Sequence, residues 1–423
     1  MDANGRSAAR TALSLTAAVA LLSGLLVAGG ATSSLAEEPS VDASAVPALS
    51  RAGWTDSTYR RLVDVIAARA GTGAVATFDF DNTTQARDVG EATVGQSERD
   101  GTLTPRSIPR VLVPPIRSGK ETVSIRDGAV AYYDALASIQ SGRDPFNAYA
   151  SNNIVAQFFT GRPLSTFVRQ VRRAYADGAG RKDLRTRRES TTGGMPRPFV
   201  YPQMADLYGN LRAHGYDVWV VSAGVTWAVR WMVKHNLNPL IRAKYGAAAE
   251  LPLDHVVGIS TLLRDRRTGE VFTDYALARS LRDQAYLNLR PRRTRHLEIL
   301  ALTDFVNSWR GGKVGAIQNL ITRGRPYLAG GDSQGDFEML NMAENRLWIT
   351  RLDRPDIQKG IAEQMVIDQP GQWLLQPTIT TAPVGFKQSR CAVGSTSPSM
   401  RRLVDRSVRI LEPTGNLGSF TSC

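Results

Sequence analysis

The chain has 423 residues and a formal net charge of +13, because 52 lysine and arginine residues outnumber 39 acidic residues. This length exceeds one ordinary domain. The basic surplus would attract anionic substrates and surfaces, but the excess of arginine over lysine and the abundance of alanine favour a GC-rich genome as its origin. No periodic pattern of arginine and aromatic residues is present, so we expect no nucleic-acid partner. The four histidines are scattered and the two cysteines both lie near the C-terminus, which argues against a zinc site.

An apolar segment lies near the N-terminus. Arg6 and Arg10 precede a run of Ala, Leu and Val over residues 12–31, and a small-residue cleavage pattern ends at Ala36. This order is typical of a signal peptide, so we predict that residues 1–36 are removed and that the protein is secreted. The run is near the length of a membrane span, which leaves an uncleaved anchor as the alternative. No later stretch is apolar enough, so we expect no stable membrane span after cleavage.

Two acids follow the first strand predicted for the core. A helix over residues 58–69 is predicted before this strand. Residues 75–78 form an apolar run, Asp79 follows directly, and Asp81 comes two residues later. Such a run is typical of a buried strand in a parallel sheet, and α/β proteins bind ligands at the carboxyl ends of such strands. Two neighbouring carboxylates repel each other, which indicates that a cation or a reaction needs them.

Three further motifs follow along the chain. A second apolar run ends in Ser222, and Lys313 lies at the start of a predicted helix. A third strand-to-loop transition ends in Gly-Gly-Asp332, with Asp336 four residues later. Because the carboxyl ends of parallel strands meet at one edge, we expect these side chains to lie close together.

In this order, Asp-x-Asp-x-Thr, Ser, Lys and Gly-Asp-x-x-x-Asp resemble the motifs of the haloacid dehalogenase superfamily. The resemblance implies an α/β fold with a three-layer Rossmann-like core, a parallel sheet and a mostly helical cap inserted between the first and second motifs. Dehalogenases of the superfamily need only the nucleophile and no metal, whereas Asp81 together with Asp332 indicates phosphoryl transfer. Hydrolysis is favoured over mutase activity because a secreted chain has no obvious phosphosugar pool to isomerise.

The resemblance assigns catalytic roles to four residues. Asp79 is the nucleophile that forms an aspartyl-phosphate, and Asp81 is the general acid that later acts as the base. Ser222 and Lys313 stabilise the charge on the phosphoryl oxygens.

The resemblance also implies a Mg²⁺ site built from hard oxygen ligands. Its expected ligands are Asp79, the backbone carbonyl of Asp81, and Asp332. Asp336 is expected behind these ligands, where it would orient them.

Three residues are expected to contact the substrate. Ala223 follows the serine of the second motif, and Thr83 would orient the first loop or form only a local bond to the backbone. Arg87 lies where the chain leaves the core, eight residues after the nucleophile (87 − 79). It would face the ligand or, alternatively, form a structural ion pair with Asp88 or Glu91.

The spacing of the motifs predicts the domain organisation, because 143 positions separate Asp79 from Ser222 (222 − 79), far more than a crossover helix needs. Helices of the cap are predicted at residues 127–139, 153–159 and 163–177. The predicted segments are the signal peptide 1–36, the N-terminal part of the core 37–87, the cap 88–200, the core 201–375 with a β-hairpin near 255–275, and the C-terminal tail 376–423. In the tail, Cys391 and Cys423 are expected to form a disulfide, with two unrelated thiols as the alternative.

Segments between about residues 55 and 350 resemble secreted bacterial phosphorylcholine phosphatases. The hairpin at 257–263 and the segment 155–161 carry much of this similarity. The expected function is therefore a secreted Mg²⁺-dependent phosphomonoesterase of a small ester, with phosphorylcholine as the best single named substrate. Arg87 departs from the pattern, because a positive charge disfavours choline. The alternative is a catalytically weak, secreted protein that binds phosphate esters or anionic surfaces on the same scaffold.

Overall fold

The computed structural model describes residues 46–118, 120–140, 145–175, 191–192, 195–304, 308–367, 372–381, 384–394 and 397–421. The predicted signal peptide, residues 176–190 of the predicted insertion and Cys423 lie outside this described part. No helix among the described residues is long and apolar enough to cross a membrane.

The helices of the described part flank a central sheet. They are α1 (Asp56–Ala68), α2 (Val89–Arg99), α3 (Ala129–Gln140), α4 (Pro145–Gln157), α5 (Leu164–Tyr175), α6 (Pro202–Ala213), α7 (Thr226–Met232), α8 (Asn238–Tyr245), α9 (Gln284–Leu287), α10 (Pro291–Thr294), α11 (Gly311–Ala316), α12 (Phe337–Met342), α13 (Pro355–Ile367) and α14 (Pro398–Leu411).

The strands form the central sheet and several small ribbons. They are β1 (Val75–Phe78), β2 (Gln85–Ala86), β3 (Ile116–Ser118), β4 (Glu121–Val123), β5 (Thr191–Thr192), β6 (Met195–Pro196), β7 (Phe199–Val200), β8 (Asp217–Val225), β9 (Val256–Ile259), β10 (Thr261–Asp265), β11 (Val271–Phe272), β12 (Leu297–Thr303), β13 (Leu328–Gly331), β14 (Asn345–Arg351), β15 (Trp373–Ile379) and β16 (Gly385–Phe386).

The central sheet has seven strands in the order β16-β15-β14-β13-β1-β8-β9. Every neighbouring pair is parallel except β15 and β16, which are antiparallel. Strands β13, β1 and β8, which precede three of the four motifs, are adjacent at the centre. Their carboxyl ends therefore meet, and the predicted α/β fold with a parallel sheet is confirmed.

Strand β8 shows why the core has three layers. Val218 and Val220 pack in one hydrophobic cluster, whereas Trp219 and Val221 pack in a second cluster. Successive side chains of a strand point to opposite faces, so both faces of the sheet are covered. This double burial explains why the strand is a continuous apolar run rather than an alternating one.

The long segment between the first and second motifs begins and ends at a two-stranded ladder. Gln85 of β2 pairs with Val200 of β7, and Ala86 pairs with Phe199, in antiparallel register. Between these strands lie helices α2 to α5 and the ribbons β3–β4 and β5–β6. The structure is consistent with the predicted segment 88–200, whose limits as a cap remain a prediction.

Three of the four helices in this segment were predicted. Helices α3 and α5 lie within two residues of their predicted limits, and the predicted helix at 153–159 is the end of the longer α4. Helix α2 was not predicted. Asp88 caps it, because its Oδ1 accepts from the backbone N–H groups of Gly90 and Glu91 at 2.5 and 3.0 Å.

The predicted hairpin near residues 255–275 is partly wrong. Its first half, β9, pairs in parallel with β8 as an edge strand of the central sheet. Only β10 and β11 form the hairpin, and β10 also pairs with β12, which was not predicted. Ser260 separates the two strands that the apolar sequence pattern had joined, because the chain changes sheets there.

The C-terminal region contributes to the core. The limit predicted at residue 375 falls inside β15, which is buried along its whole length. Helix α14 buries Val404, Val408 and Leu411 against the second hydrophobic cluster. Cys391 begins a short 3₁₀ helix. Its disulfide with Cys423 remains a prediction, since Cys423 lies outside the described residues.

Candidate active site

The first and fourth motifs are brought together by the pairing of β1 with β13. The backbone N–H of Asp79 donates to the carbonyl of Gly330 at 2.9 Å, which continues the ladder one step beyond β1. Asp332 directly follows β13, so both acids leave the same edge of the sheet. A Cβ atom on Gly331 would lie 2.5 Å from the Cβ of Asp336, which explains the need for glycine at this position.

A buried cluster of charges connects three of the motifs. Lys313 Nζ donates to Asp79 Oδ1 and to Asp336 Oδ1, at 2.6 Å each. Thr83 Oγ1 donates to Asp332 Oδ1 at 2.8 Å and lies 3.5 Å from Asp79 Oδ2. All five side chains are buried. The predicted nucleophile is therefore held between a lysine and a hydroxyl group.

Three acids of this cluster fit a divalent cation. Oxygen atoms of Asp79, Asp332 and Asp336 lie within 4.8 Å of one another. Burial, and then the charge of Asp336, raises the pKa of Asp79 well above its ordinary value. Burial also raises the pKa of Asp332, against the opposing effect of the Arg351 charge. The three carboxylates contact only two described cations, Lys313 and Arg351. Carboxylate oxygens with an excess of negative charge are a suitable site for Mg²⁺.

Asp336 also supports the loop after β13. Its Oδ2 accepts from the backbone N–H groups of Asp332 and Ser333, both at 3.0 Å, and from the Ser333 hydroxyl at 3.1 Å. These bonds match the orienting role predicted for it. Arg351 was missed by the sequence analysis, although it ends the apolar strand β14. Its Nη1 donates to Asp332 Oδ2 at 2.8 Å.

Asp81 lies in a different environment from Asp79. Its Oδ1 accepts from Gln85 Nε2 at 2.6 Å and from the backbone N–H of Val89 at 3.0 Å. Burial, followed by the charges of Asp88 and Asp79, raises the pKa of Asp81 well above its ordinary value. Such a group retains a proton that it can donate, as a general acid requires.

The second motif approaches Asp81 through a glycine. A Cβ atom on Gly224 would lie 2.5 Å from Asp81 Oδ2 and 3.2 Å from Ser222 Oγ, so both groups converge there. Ser222 is fully buried, and its Oγ accepts from the backbone N–H of Gly224 at 3.0 Å. Ala223 is half-buried between them. Asp81 Oδ2 is one of the described side-chain atoms that are buried without a hydrogen-bond partner, and it lies beside Gly224.

Arg87 is placed apart from the lysine cluster. Its backbone N–H donates to Asn82 Oδ1 at 2.9 Å, and its Nη1 donates to the carbonyl of Arg197 at 3.1 Å. Both Asn82 and Arg87 have positive φ angles, of 61° and 70°. The side chain therefore joins the two ends of the inserted segment, and its contact with substrate remains a prediction.

A second group of acids lies next to Asp81. Burial, and then the charge of Asp88, raises the pKa of Glu91 to about 8. Tyr133 donates from its hydroxyl to Glu91 Oε1 at 3.3 Å. Burial, followed by the charges of Glu91 and Asp88 and to a smaller extent that of Asp81, raises the pKa of the Tyr133 hydroxyl. The sequence analysis named Glu91 only as a possible partner of Arg87 and missed its contact with Tyr133, because helix α2 was not predicted.

Most other aromatic residues of the inserted segment are part of its core. Phe158 and Phe159 are fully buried, and the Tyr132 hydroxyl donates to the carbonyl of Pro114 at 2.9 Å. Trp227 is also fully buried, with its Nε1 bonded to the Tyr286 hydroxyl at 2.8 Å. The side chains of residues 145–149 lie outside the described part. Tyr133 is thus the aromatic residue with a described contact to the acids near Asp81.

Comparison with known proteins gives one close curated relative. The chain is 29% identical over 312 residues to a phosphorylcholine phosphatase of Pseudomonas aeruginosa, an alignment that covers 70% of this chain and 80% of that protein. No model of a protein family matches the chain.

Of two solved structures similar to the chain, one aligns with a TM-score above 0.5. A functionally unknown protein from Anaerococcus prevotii has a TM-score of 0.51 and 18% identity, over 81% of this chain and 97% of its own. A phosphoserine phosphatase complex aligns with a TM-score of 0.33 and 12% identity, over 66% of this chain and 86% of its own. The name of the curated relative agrees with the phosphatase activity predicted from the sequence.

Proposed function

We propose that this phosphatase is a secreted, Mg²⁺-dependent phosphomonoesterase that acts on a small ester through an aspartyl-phosphate intermediate. The contact that carries the proposal is the pair of 2.6 Å hydrogen bonds from Lys313 to Asp79 and Asp336. They fix one carboxylate oxygen of Asp79 and leave the carboxylate beside a lysine that attracts phosphate. A binding protein would not need a nucleophile held in this way.

In the first half of the reaction, an oxygen of Asp79 attacks the phosphorus of the ester. The new O–P bond forms in line with the bond to the leaving oxygen, which breaks with its electron pair. Asp81 gives its proton to that oxygen, so a neutral alcohol leaves. Lys313 and the hydroxyl of Ser222 stabilise the charge on the other phosphoryl oxygens.

In the second half, water attacks the phosphorus of the aspartyl-phosphate. Asp81, now ionised, takes a proton from this water. The bond from phosphorus to Asp79 breaks, which releases phosphate and restores both carboxyl groups. Because Asp81 is bonded to Gln85 and to the N–H of Val89 through one oxygen, its second oxygen is left to carry the proton in both steps.

The acidic cluster is the proposed place for the metal. Asp79, Asp332 and the backbone carbonyl of Asp81 would hold Mg²⁺, with Asp336 orienting them. The ion would neutralise charge on the phosphoryl group and lower the repulsion between the carboxylates.

A chelator test separates an enzyme from a binding protein. We expect the purified protein to hydrolyse p-nitrophenyl phosphate, to lose this activity in EDTA, and to regain it with excess Mg²⁺. Release of p-nitrophenol is measured by its absorbance, and thermal unfolding is followed in parallel to show that the chelated protein stays folded. Activity that is insensitive to EDTA would contradict the metal, whereas a folded protein without activity would favour the phosphate-binding alternative.

We further propose that the ester carries a cationic group, as phosphorylcholine does. The support lies in the acids next to Asp81, because a carboxyl group removed from water is stabilised by a nearby cation. Glu91 and Tyr133 together offer a carboxylate and an aromatic ring, which are the groups that bind quaternary ammonium ions. The charge of Arg87 alone led us to expect that a cationic ester is disfavoured. We propose the opposite, because Arg87 is bonded to the Arg197 carbonyl.

Glu91→Gln tests this substrate class. We expect the variant to raise KM for phosphorylcholine about tenfold, the effect of losing roughly one charge-assisted contact. The pKa of Glu91 is raised to about 8, so its ionised fraction grows as the pH rises through that value. In the unchanged protein, KM for phosphorylcholine should therefore fall between pH 7 and 9, and in Glu91→Gln this dependence should disappear.

Two controls accompany this experiment. KM for p-nitrophenyl phosphate, whose leaving group carries no cation, should be the same in Glu91→Gln as in the unchanged protein. Glu121→Gln removes an exposed acid from the same inserted segment and should change neither KM. An equal loss for both substrates would show that Glu91 supports the fold of the site instead of choosing the ester.

A further inference from the structure

A large cavity lies among residues that belong to none of the four motifs. Its volume is about 800 Å³, within the range of about 300–1,000 Å³ that is usual for small-molecule sites. Arg169 and Arg172 of α5 form one wall, Trp231 and His235 form the second, and the segment ending at Arg295 forms the third. Helix α5 buries its opposite face in the core, and both arginines are exposed on the other face.

The cavity has a positive potential. Among the described residues that line it, none is acidic. Burial, followed by the charges of Lys234, Arg172 and Arg290, lowers the pKa of His235. Burial and the charge of Arg290 also lower the pKa of Lys234, whose Nζ donates to the carbonyl of Asn288 at 2.9 Å. Several positive charges thus act on the same cavity, so the binding of an anion in it is favourable.

Aromatic rings form one side of the same cavity. The ring of Trp231 lies 5.7 Å from that of Tyr175 and 4.8 Å from that of His235, between ring centres. Trp231 stays 9% exposed, whereas its neighbour on the helix, Trp227, is fully buried. These rings offer an apolar surface next to the arginines.

The arginines between β11 and β12 differ in their contacts. Arg293 donates to Asp283 at 2.7 Å and to Asp265, so two acids neutralise it. Arg295, two residues later, lines the cavity and its Nε donates to His296 Nε2 at 3.0 Å.

We propose that this cavity binds an organic anion that carries its charge on a planar ring, such as an aromatic phosphate or carboxylate. The arginines would bind the anionic group, and the rings of Trp231 and His235 would stack on the planar part. An inorganic anion alone would fill only a small part of the volume. The site is distinct from the proposed phosphatase site, because its lining residues include none of the four motifs and neither Glu91 nor Tyr133.

Isothermal titration with 1-naphthalenesulfonate tests this site, since a sulfonate is not a phosphatase substrate. We expect one molecule to bind per chain, and the neutral analogue 1-naphthalenemethanol to bind much more weakly. The double variant Arg169→Ala/Arg172→Ala should lose about tenfold or more in affinity. The reason is that one hydrogen bond to a charged group contributes at least the free energy that corresponds to a tenfold change in affinity. Arg295→Ala alone should also weaken binding.

The matched control is Arg409→Ala, which removes an exposed arginine from α14 and should leave binding unchanged. Hydrolysis of p-nitrophenyl phosphate should be the same in the double variant as in the unchanged protein, which shows that the variant is folded and that the two sites are separate. Equal affinity in the double variant, equal binding of the neutral analogue, or no binding up to millimolar sulfonate would each overturn the proposal. None of these outcomes depends on the identity of the phosphatase substrate.

Discussion

Asp79→Asn is expected to abolish turnover of phosphate esters. An amide is not a nucleophile toward phosphorus, and Asp79 is the acid directly after β1 whose carboxylate accepts from Lys313. We expect release of p-nitrophenol at the rate of the reaction without enzyme. A continuous absorbance assay at high protein concentration measures this loss.

The matched control for this change is Asp64→Asn, which replaces an exposed acid on α1. It removes the same charge from the chain and should retain full activity. Cooperative thermal unfolding of Asp79→Asn would show that the lost activity reflects chemistry and not unfolding. Normal turnover by a folded Asp79→Asn variant would refute the proposed mechanism.

Asp81→Asn is expected to slow turnover by about 10²–10⁴-fold, the usual contribution of one general acid or base. The variant still has the nucleophile, so an ester with a good leaving group can phosphorylate Asp79. Water then lacks its base, and the phosphoenzyme should accumulate. Acid quenching followed by intact-protein mass spectrometry would detect the added phosphoryl group.

A comparison of two substrates sharpens this prediction. p-Nitrophenolate leaves without help from an acid, whereas an alkoxide such as that of a choline ester needs a proton. Asp81→Asn should therefore harm the alkyl ester more than p-nitrophenyl phosphate. Equal losses for both esters, with no phosphoenzyme, would assign Asp81 to the binding of the metal alone.

The sequence was sufficient to predict which strands carry the site. Runs of apolar residues before Asp79, Ser222 and Asp332 reflect burial on both faces of a parallel sheet, and that burial is a property that sequence displays directly. Lys313 was predicted from its motif, and its contact with Asp79 follows from the helix α11 that begins beside it.

Other parts of the site depend on long-range packing that no local pattern contains. Arg351 looks like any charged residue at the end of a strand until β14 pairs with β13 and directs it to Asp332. Glu91 was predicted only as a possible ion-pair partner of Arg87, because helix α2 was not predicted. Likewise, β9 and β10 formed one apolar run, and only tertiary structure separates the strand of the central sheet from the hairpin.

The ladder between β2 and β7 has a consequence for how this chain tolerates change. Gln85 and Val200 are far apart in sequence but directly paired, so the core meets the inserted segment at two adjacent points. The entropy of closing such a loop grows only with the logarithm of its length. Exposed residues gained or lost at turns of the segment therefore cost little closure entropy, whereas its helices pack in the same hydrophobic cluster as β1 and β8. A change in the length of the exposed turns is thus compatible with the fold, provided that the first and last residues of the segment keep this short ladder.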